Sequence, residues 1–579
     1  MIRSRLPRLA ALASAALIVL SVAVPVVTAK PPDDGPAANK AKTTKIQILG
    51  LNDFHGQLEP VPATSSGGRI GSTAAGGVEY LATHVRELRA TNPNTLFVSA
   101  GDLIGATPLI SAVFHDEPTI EAFNLMDLDY NGVGNHEFDE GVDELLRMQE
   151  GGCHPVDGCF GGDGFDGAEF EMLAANVAYK DTGETIFPPY AVHEFPGVDV
   201  AVIGMTLEGT PSIVSASGIA SVDFFDEADS VNALVPVLKE QGIETIIVLL
   251  HEGGSVAAPG NGAGAGGETN MNLCLSPTGP LPPIVERMDD EVDVVVTGHT
   301  NWAINCVIDG KIVTGAAATG RLVTDIDLVV SRATKDVLSA TVNNKIVTQT
   351  VPKAPDLTVL VDEYRTLSAP LANRIIGKIT ADITRASVAP PTGNGESALG
   401  DVIADAQNFD AQQAGTGSQI AFMNAGGIRN DLTYASSPSG EGDGNVTYGE
   451  AFAVQPFGNS LVTMTLSGTQ IKALLEKQFD GGIGILQISN GFTYSFSASA
   501  AVNNKISAMA LNGNPIVLAD TYRVTVNSFL ADGGDNYTVL RDGTNRVAGN
   551  VDTDAFENYL VANPAGVAPG PRNRITRLP

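Results

Sequence analysis

The sequence is poor in positive charge and in aromatic side chains. Lysine and arginine together number 34 against 66 aspartate and glutamate residues, so the formal net charge is −32. A surface of this sign repels nucleic acid polymers and anionic membranes, which argues against both as partners. An anionic small-molecule substrate would then need a local positive centre, which bound metal ions supply. Aromatic residues make up only 6% of the chain, so its cores must be mainly aliphatic.

Long apolar runs are absent outside the N-terminus. After three arginines within the first eight residues, an almost uncharged apolar stretch covers residues 9–27. This order predicts a cleaved signal peptide over residues 1–29, followed by a disordered lead-in over residues 30–43. The alternative is an uncleaved membrane anchor. No cysteine that could accept a lipid follows the run, which favours a secreted or extracytoplasmic protein (periplasm or cell wall) without a stable membrane anchor.

Cysteine is scarce, and its even number of four suits disulfides in an exported chain. Cys153 and Cys159 would close a short glycine-rich loop, which leaves Cys274 to pair with Cys306. A zinc site built from all four cysteines is the alternative. Their spacing lacks the paired Cys-x-x-Cys pattern of zinc knuckles, so we expect two disulfides.

Short aliphatic runs alternate with segments of helical spacing over residues 44–335. Strands this apolar are buried on both faces, which predicts an α/β sandwich in which helices cover the sheets. Residues 336–375 are predicted to be a linker with a helix over Pro355–Ala372, and residues 376–579 a second α/β domain. The aliphatic runs are Ile46–Leu51, Leu96–Ser99, Tyr130–Val133, Val198–Met205, Thr245–Leu250 and Val292–Thr297.

Five of these runs lead into aspartate, histidine or asparagine next to glycine. In α/β folds, ligands bind beyond the carboxyl ends of the strands. Glycine lets the backbone turn sharply there and approach a ligand closely. Side chains that are distant in sequence could therefore converge on one point.

The residue types in these turns suit zinc, manganese or a similar divalent ion. A single aspartate or histidine after a strand is more often a cap or a turn residue. Four of the eight histidines of the chain lie in these turns, however, and this joint placement favours a two-metal site that polarises a phosphoryl group and activates a water. One ion would take Asp53, His55 and Asn301, the other would take Asn135, His251 and His299, and Asp102 would bridge them.

His136 directly follows the proposed ligand Asn135, and one turn can hardly direct both side chains to metal. As an imidazolium, His136 could stabilise charge in the transition state or protonate the leaving oxygen. Asp139 lies three residues further on and could orient it, although Asp139 could also be a helix cap. The remaining histidines lie outside the glycine turns and are predicted to be ordinary surface or helix residues: His84, His115, His154 and His193.

At these segments the sequence resembles the 5′-nucleotidase family of metallophosphoesterases, which includes UDP-sugar hydrolases and 2′,3′-cyclic nucleotide phosphodiesterases. The resemblance implies a four-layer α/β-β/α catalytic domain, a C-terminal nucleotide-recognition domain, the same metal ligands and the His136–Asp139 catalytic pair. It also implies that a nucleotide binds between the domains and that the C-terminal domain rotates. The matching segments are LNDFHGQLEP from Leu51, GDLIGATP from Gly101, GNHEFDEG from Gly134, HEGG from His251 and GHTN from Gly298.

The resemblance continues into the second domain, where NAGGIR, PFGN and FLADGGD match family motifs. By resemblance, Phe457 and Phe529 would sandwich the base, a contact worth roughly 1–3 kcal/mol per base. Without the family, both rings would be interpreted as ordinary core. Asp535 could bind the ribose hydroxyls, Arg429 a phosphate or carboxylate through its fork of donors, and Asn424 the base or ribose.

One difference from the family pattern bears on which substrate the protein would prefer. Ecto-nucleotidases carry an extra arginine just before the helix start of the second domain, whereas residues 393–400 contain none and Glu396–Gly400 resembles the cyclic-phosphodiesterase branch. We expect metal-dependent release of phosphate from nucleoside 5′-monophosphates. The alternatives are a 2′,3′-cyclic phosphodiesterase with 3′-nucleotidase activity, a UDP-sugar hydrolase and a non-catalytic binding module. No protein partner is evident from the sequence.

Overall fold

The computed structural model describes residues 27–28, 43–61, 70, 73–160, 164–215, 218–256, 270–388, 393–435, 440–480 and 484–579. The predicted signal peptide and lead-in lie almost wholly outside these residues. Among the described helices, none combines the length and the apolar character needed to cross a membrane.

Two sheets face each other in the first half of the chain and share an aliphatic core. Ile48 and Val98 enter this core from one sheet, and Val202 and Leu249 enter it from the other. In spatial order the first sheet contains Val27–Thr28, Val337–Ile346, Leu322–Ser331, Thr43–Leu51, Thr95–Ser99, Tyr130–Gly132 and Glu171–Leu173. The second contains Ala303–Ile308, Lys311–Ala316, Val292–Thr297, Thr245–Leu250, Val198–Met205 and Tyr190–Phe195.

Helices cover the outer face of each sheet and complete four layers. The predicted α/β-β/α sandwich is therefore confirmed, and it explains why the inner strands are apolar on both faces. The first sheet is covered by Val78–Arg89, Glu117–Leu125, Val142–Glu150 and Pro355–Ala372, and the second by Glu227–Glu240 and Leu281–Arg287. The remaining elements of this half are the helices Leu109–Ala112, His136–Phe138 and Thr210–Ser212 and the paired strands Val177–Tyr179 and Val222–Phe224.

Parallel pairing brings the ligand turns to one edge of the sandwich. Thr43–Leu51, Thr95–Ser99 and Tyr130–Gly132 run parallel in the first sheet, and Thr245–Leu250 and Val292–Thr297 run parallel in the second. The carboxyl ends of parallel strands lie at the same edge, where α/β proteins bind their ligands. The turns that follow these five strands carry the predicted metal ligands.

The helix Pro355–Ala372 has the bounds that the sequence predicts. Its residues Leu357, Val361 and Tyr364 are buried in the core of the first domain, and the Tyr364 hydroxyl donates to Glu121 (3.0 Å). The helix therefore belongs to the body of the first domain. A rotation of the second domain would need its hinge after Ala372.

The second half of the chain is a smaller α/β unit. Ser397 caps one of its helices by accepting the Gly400 N–H (3.0 Å). Its helices are Ala398–Gln413, Ala425–Gly427, Tyr448–Val454, Gly468–Lys477, Ser528–Ala531, Gly534–Asn536, Thr538–Asp542 and Asp552–Ala562. Its sheets contain, in spatial order, Gln487–Ile488, Ile420–Met423, Thr521–Asn527, Ser460–Ser467 and Thr544–Val551; Asn514–Pro515, Ile506–Leu511, Phe492–Ser497 and Ile575–Leu578; and Ile375–Lys378 with Asn445–Thr447.

Both expected disulfides are present in the structure. Cys274 pairs with Cys306, which lies on the strand Ala303–Ile308. Cys153 pairs with Cys159 and closes a short surface loop, here named the Cys153–Cys159 loop. Within it, His154 and Gly158 exchange backbone hydrogen bonds (3.1 and 2.9 Å). The loop is therefore held by the disulfide and by a pair of backbone hydrogen bonds.

A half-buried carboxyl at the start of the strand Val292–Thr297 makes the stability of the fold pH-dependent. Asp293 accepts the Ile246 N–H (3.1 Å), and burial, together with the nearby carboxylates of Asp336 and Glu291, raises the pKa of Asp293 to about 8. An unfolded aspartate has a pKa near 3.9. The protonated carboxyl therefore stabilises the fold fully below about pH 4, and this contribution is lost as the pH rises to about 8.

We expect Asp293→Asn to gain stability relative to the wild type between about pH 4 and pH 8, because asparagine has no proton to lose. Urea unfolding midpoints measured across this range would show the difference between the variant and the wild type widening up to about pH 8 and staying constant above it. Exposed Asp181→Asn is the control. Parallel curves for the wild type and Asp293→Asn would contradict the prediction.

Candidate active site

The first ligand turn is interlocked with the second by backbone hydrogen bonds. The N–H groups of Asp53 and His55 donate to the carbonyls of Gly101 (2.9 Å) and Asp102 (3.0 Å). Asp53, His55 and Asp102 all have positive φ angles of 50–53°, a conformation that costs energy for residues other than glycine. Such strain persists only where the surroundings enforce it, and it is common at functional sites.

Glycine is required beside these ligands because there is no room for a side chain. A Cβ on Gly134 would lie 2.3 Å from Asp102 Oδ1, and a Cβ on Gly101 would lie 2.6 Å from His251 Nδ1. The glycines of the sequence motifs therefore let the ligand side chains of neighbouring turns pack against bare backbone.

Asp102 lies at the centre of the cluster. Its Oδ2 is 3.1 Å from His251 Nε2 and 3.8 Å from His55 Nε2, and its Oδ1 accepts the His136 N–H (2.9 Å). One carboxylate thus faces histidines from both predicted ligand sets. This position suits the bridging role predicted from the sequence.

Backbone carbonyls fix the orientation of two histidine rings. His55 Nδ1 lies 2.9 Å from the Gly105 carbonyl, and His251 Nδ1 lies 2.7 Å from the Ala100 carbonyl. An Nδ1–H that donates to a carbonyl leaves Nε2 unprotonated and available to a metal. Asn135 Oδ1 completes this side of the cluster, 3.1 Å from His251 Nε2 and 2.9 Å from His299 Nδ1.

The donor set fits divalent ions. Asp53 Oδ1 is buried and has no hydrogen-bond partner among the described residues, which is costly for a carboxylate unless a cation satisfies it. Burial raises the pKa of Asp53 to about 7 and lowers the pKa of His55 to about 3, so His55 is neutral, as a metal ligand must be. Although burial lowers it, the Asp102 carboxylate raises the pKa of His251 to about 10. A divalent ion bound by both would displace that proton.

Asn301, the remaining predicted ligand, lies two residues after His299. Asn301 is exposed, and its side-chain amide donates to the backbone carbonyl of His299 (3.4 Å). Its φ is positive, at 59°. Its place in a metal site stays a prediction.

The predicted catalytic pair is formed. His136 Nδ1 lies 2.8 Å from Asp139 Oδ2, which leaves Nε2 for the substrate. Burial lowers the pKa of His136, but the charges of Asp139 and Asp102 outweigh it and raise this pKa above its ordinary value. The His136 ring stacks on Phe457 of the second domain, with centroids 5.9 Å apart and planes 18° apart, so the two domains meet at this pair.

The predicted substrate residues line one cleft with the catalytic pair. Phe457 and Phe529 are only half-buried, unlike ordinary core rings. Asn424 donates to Asp535 (3.0 Å), and the Arg429 guanidinium lies 5.4 Å from the Phe457 centroid. The predicted residues on the cleft wall are Asn135, His136, Asp139, His299, Asn424, Arg429, Phe457, Phe529 and Asp535.

Comparison with known proteins assigns both domains. Residues 46–302 match the calcineurin-like phosphoesterase family, and residues 375–542 match the C-terminal domain of 5′-nucleotidases. The solved structure of a 5′-nucleotidase precursor from Thermus thermophilus is similar over 92% of this chain and 99% of that one, with a TM-score of 0.73 and 25% sequence identity. The chain belongs to the 5′-nucleotidase family of metallophosphoesterases. It is a phosphoric ester hydrolase, and its family uses divalent metal ions.

Two curated relatives match nearly the whole chain but differ in length. Cell wall protein Lmo0130 of Listeria monocytogenes is 32% identical over 549 residues, which cover 90% of this chain and 67% of that protein. Endonuclease YhcR of Bacillus subtilis is 31% identical over 523 residues, which cover 89% of this chain. The matched region makes up only 39% of YhcR, which is therefore a much longer protein.

Glu137 is a positioning carboxylate in this site that the sequence did not reveal. Glu137 is buried, and its carboxylate accepts the N–H groups of Asp102 (2.9 Å), Leu103 (2.8 Å) and Gly134 (2.8 Å). It therefore ties together two of the ligand turns. Its position inside the motif GNHEFDEG was visible, but nothing in the sequence distinguished it from a surface acid.

Three further residues of this 5′-nucleotidase fold support the site and were also missed. Asn52 donates to Asp53 Oδ2 (2.5 Å) and accepts the Ala316 N–H (2.7 Å). Asn459 accepts the Phe529 N–H (3.2 Å) and so holds that ring's backbone. The Arg385 side chain donates to the Arg429 carbonyl and adds positive charge next to Arg429. Asn52 and Asn459 lie in the motifs LNDFHGQLEP and PFGN, but neither motif indicates which contacts they make, and Arg385 lies outside the quoted motifs.

We expect Glu137→Gln to weaken metal binding by about 10–100-fold, the usual cost of losing a group that orients metal ligands. The amide can present only one oxygen to three N–H donors. Competition with a chelating dye measures the metal dissociation constant, and exposed Glu169→Gln is the control. Unchanged affinity in Glu137→Gln would show that Glu137 does not position the ligands.

Proposed function

We propose that this chain is an extracytoplasmic 5′-nucleotidase that releases phosphate from nucleoside 5′-monophosphates. The observation that carries the proposal is a single cleft in which His136 and the ligand cluster lie next to Phe457 and Phe529. A phosphate at the cluster would place the attached nucleoside against the aromatic side chains of the second domain. Flat heterocycles suit such stacking.

In this proposal, each residue around the substrate phosphate has its own role in the reaction. Zinc or manganese ions held by the cluster would polarise the phosphoryl group and activate the attacking water. His136, whose pKa Asp139 helps to raise, would as an imidazolium stabilise the developing charge or protonate the leaving ribose oxygen. Arg429 would bind phosphate oxygens from the other side of the cleft.

Export is part of this proposal. Two disulfides support an oxidising compartment, in line with the predicted signal peptide over residues 1–29. Lmo0130 is named a cell wall protein, which agrees with a location outside the cytoplasm. We propose release to the periplasm, cell wall or medium.

The Glu396–Gly400 segment resembles the cyclic-phosphodiesterase branch, but it does not favour that activity through a contact with the substrate cleft. Glu396 is buried and accepts the Arg574 N–H (2.9 Å), while Ser397 caps the helix Ala398–Gln413. Within the part of the chain that the structure describes, this segment contributes no residue to the cleft wall. Arg385 offers a second positive charge near Arg429 and could take the place of the missing arginine.

The name of YhcR raises nuclease activity as a competing function. The net charge of −32 opposes binding of a long polyanion, whereas a mononucleotide needs only the local positive charge of the metal ions and Arg429. We therefore propose mononucleotides rather than nucleic acid polymers as substrates.

Phosphate release by the purified protein tests the substrate directly. The panel is AMP, 3′-AMP, 2′,3′-cyclic AMP, ATP, UDP-glucose and single-stranded DNA, with manganese or zinc present and coupled phosphatase for the diesters and UDP-glucose. The highest kcat/KM for AMP supports the proposal. A preference for the cyclic substrate, 3′-AMP, UDP-glucose or DNA would replace it with the corresponding alternative.

We expect His136→Asn to lower kcat for AMP by about 10²–10⁴-fold, because general acid–base groups contribute on this scale. Metal content should be unchanged, since His136 directs its ring to Asp139 and the cleft. His193→Asn, on the strand Tyr190–Phe195, is the matched control. Retained kcat in His136→Asn would remove His136 from catalysis.

We expect Phe529→Leu to raise KM for AMP by roughly 5- to 150-fold, the equivalent of one lost base stack. Ribose 5-phosphate has no base, so its KM should not change. Phe409→Leu, which loses a ring that contacts Tyr559 away from the cleft, is the control. Equal changes for both substrates would show that Phe529 does not bind the base.

A further inference from the structure

A second histidine–carboxylate cluster lies next to the catalytic pair. Its members come from three separate segments: His115 after the helix Leu109–Ala112, Glu140 and Glu144 near the start of the helix Val142–Glu150, and His154 in the Cys153–Cys159 loop. One potential ligand atom from each of the four residues lies within 4.8 Å of the others. The sequence predicts His115 and His154 to be ordinary histidines, so their convergence is new information from the fold.

The contacts within this cluster are close and polar. His115 Nδ1 lies 2.8 Å from Glu140 Oε2, and His115 Nε2 lies 3.0 Å from Asp157 Oδ2. The rings of His115 and His154 stack with centroids 3.7 Å apart. His154 Nδ1 is also 3.3 Å from Asp157. Two imidazoles are thus surrounded by carboxylates on a surface that is already strongly negative.

The covalent and backbone framework holds these side chains in place. The disulfide and the His154–Gly158 backbone pair fix the loop that carries His154. On the other side, His115 has a φ of 50°, and its neighbour Asp116 is buried and accepts the Gly105 N–H (3.0 Å). The side chains of His115, His154 and Glu144 are only 16, 14 and 12% exposed, so the fold holds them in place. Because the two imidazole rings are stacked, one of them must turn for both to bind the same ion.

The charge of the cluster is incompletely balanced by the chain. Arg147 donates to Glu144 (2.7 Å), but it also pairs with buried Glu117 (2.6 Å). Among the described residues, Glu140 forms an ion pair with His115, and Asp157 with His115 and His154, and neither pairs with a lysine or an arginine. Two imidazoles with two or more carboxylates form a donor set that binds zinc and similar divalent ions.

We propose that His115, Glu140, Glu144 and His154 form a third metal site of this chain, which takes a zinc ion or a similar divalent cation. The site is separate from the ligand cluster around Asp102. Glu140 directly follows the catalytic Asp139, so an ion here would tie the segment that carries Asp139 to the Cys153–Cys159 loop. Its role is to position that segment, and the ion does not contact the substrate.

Metal counting tests this proposal without any assay of turnover. The full-length purified protein is stripped with a chelator, reloaded with zinc alone, passed through gel filtration and analysed for zinc per chain. We expect three ions in the wild type and in His84→Gln, and two in the double variant His115→Gln/His154→Gln. Two ions in the wild type, or equal counts in the wild type and the double variant, would overturn the proposal and leave a charged histidine bonded to carboxylates.

A second variant protects the test against misfolding. The Glu140 side chain is 47% exposed, so Glu140→Gln should fold normally, as circular dichroism would confirm. It should lose the third ion in the same gel-filtration assay while retaining two. Three ions retained in Glu140→Gln would contradict the assigned ligand set. Because the readout is zinc content, it is independent of which nucleotide the enzyme hydrolyses.

Discussion

Buried carboxylate and imidazole groups at the edge of the sandwich carry charge that the chain alone does not balance. Asp102 is in contact with histidines from two turns, and Asp53 Oδ1 has no hydrogen-bond partner among the described residues. Leaving such groups unpaired in a low-dielectric interior is costly, and divalent ions remove that cost. The positive φ angles, the glycines beside the ligands and the three N–H bonds to Glu137 all serve to hold this arrangement.

The arrangement divides the chemistry between the two domains. The first supplies the ligands and His136, and the second supplies Arg429 and the aromatic side chains, with Phe457 stacked on His136 where they meet. One face of the helix Pro355–Ala372 packs into the core of the first domain, so any rotation of the second domain pivots after it. A substrate held between the domains would contact both at once, which links recognition of the base to catalysis at the phosphate.

Parts of this molecule could be predicted because they depend on local patterns. The strands Val198–Met205, Thr245–Leu250 and Val292–Thr297 are mainly aliphatic runs buried over most of their length, and their observed bounds equal the predicted ones. The contacts of Glu137 and the pairing of His115 with His154 depend on three-dimensional proximity across turns and a disulfide loop.

Electron paramagnetic resonance of the protein loaded with two equivalents of manganese tests the central claim most directly. If Asp102 bridges two ions, they lie about 3.5–4 Å apart, and their spins are coupled. In the double variant His115→Gln/His154→Gln, which lacks the proposed third site, we expect a coupled signal that Asp102→Asn abolishes. Two bound ions that give only the spectrum of isolated manganese would contradict a two-metal centre at the strand ends.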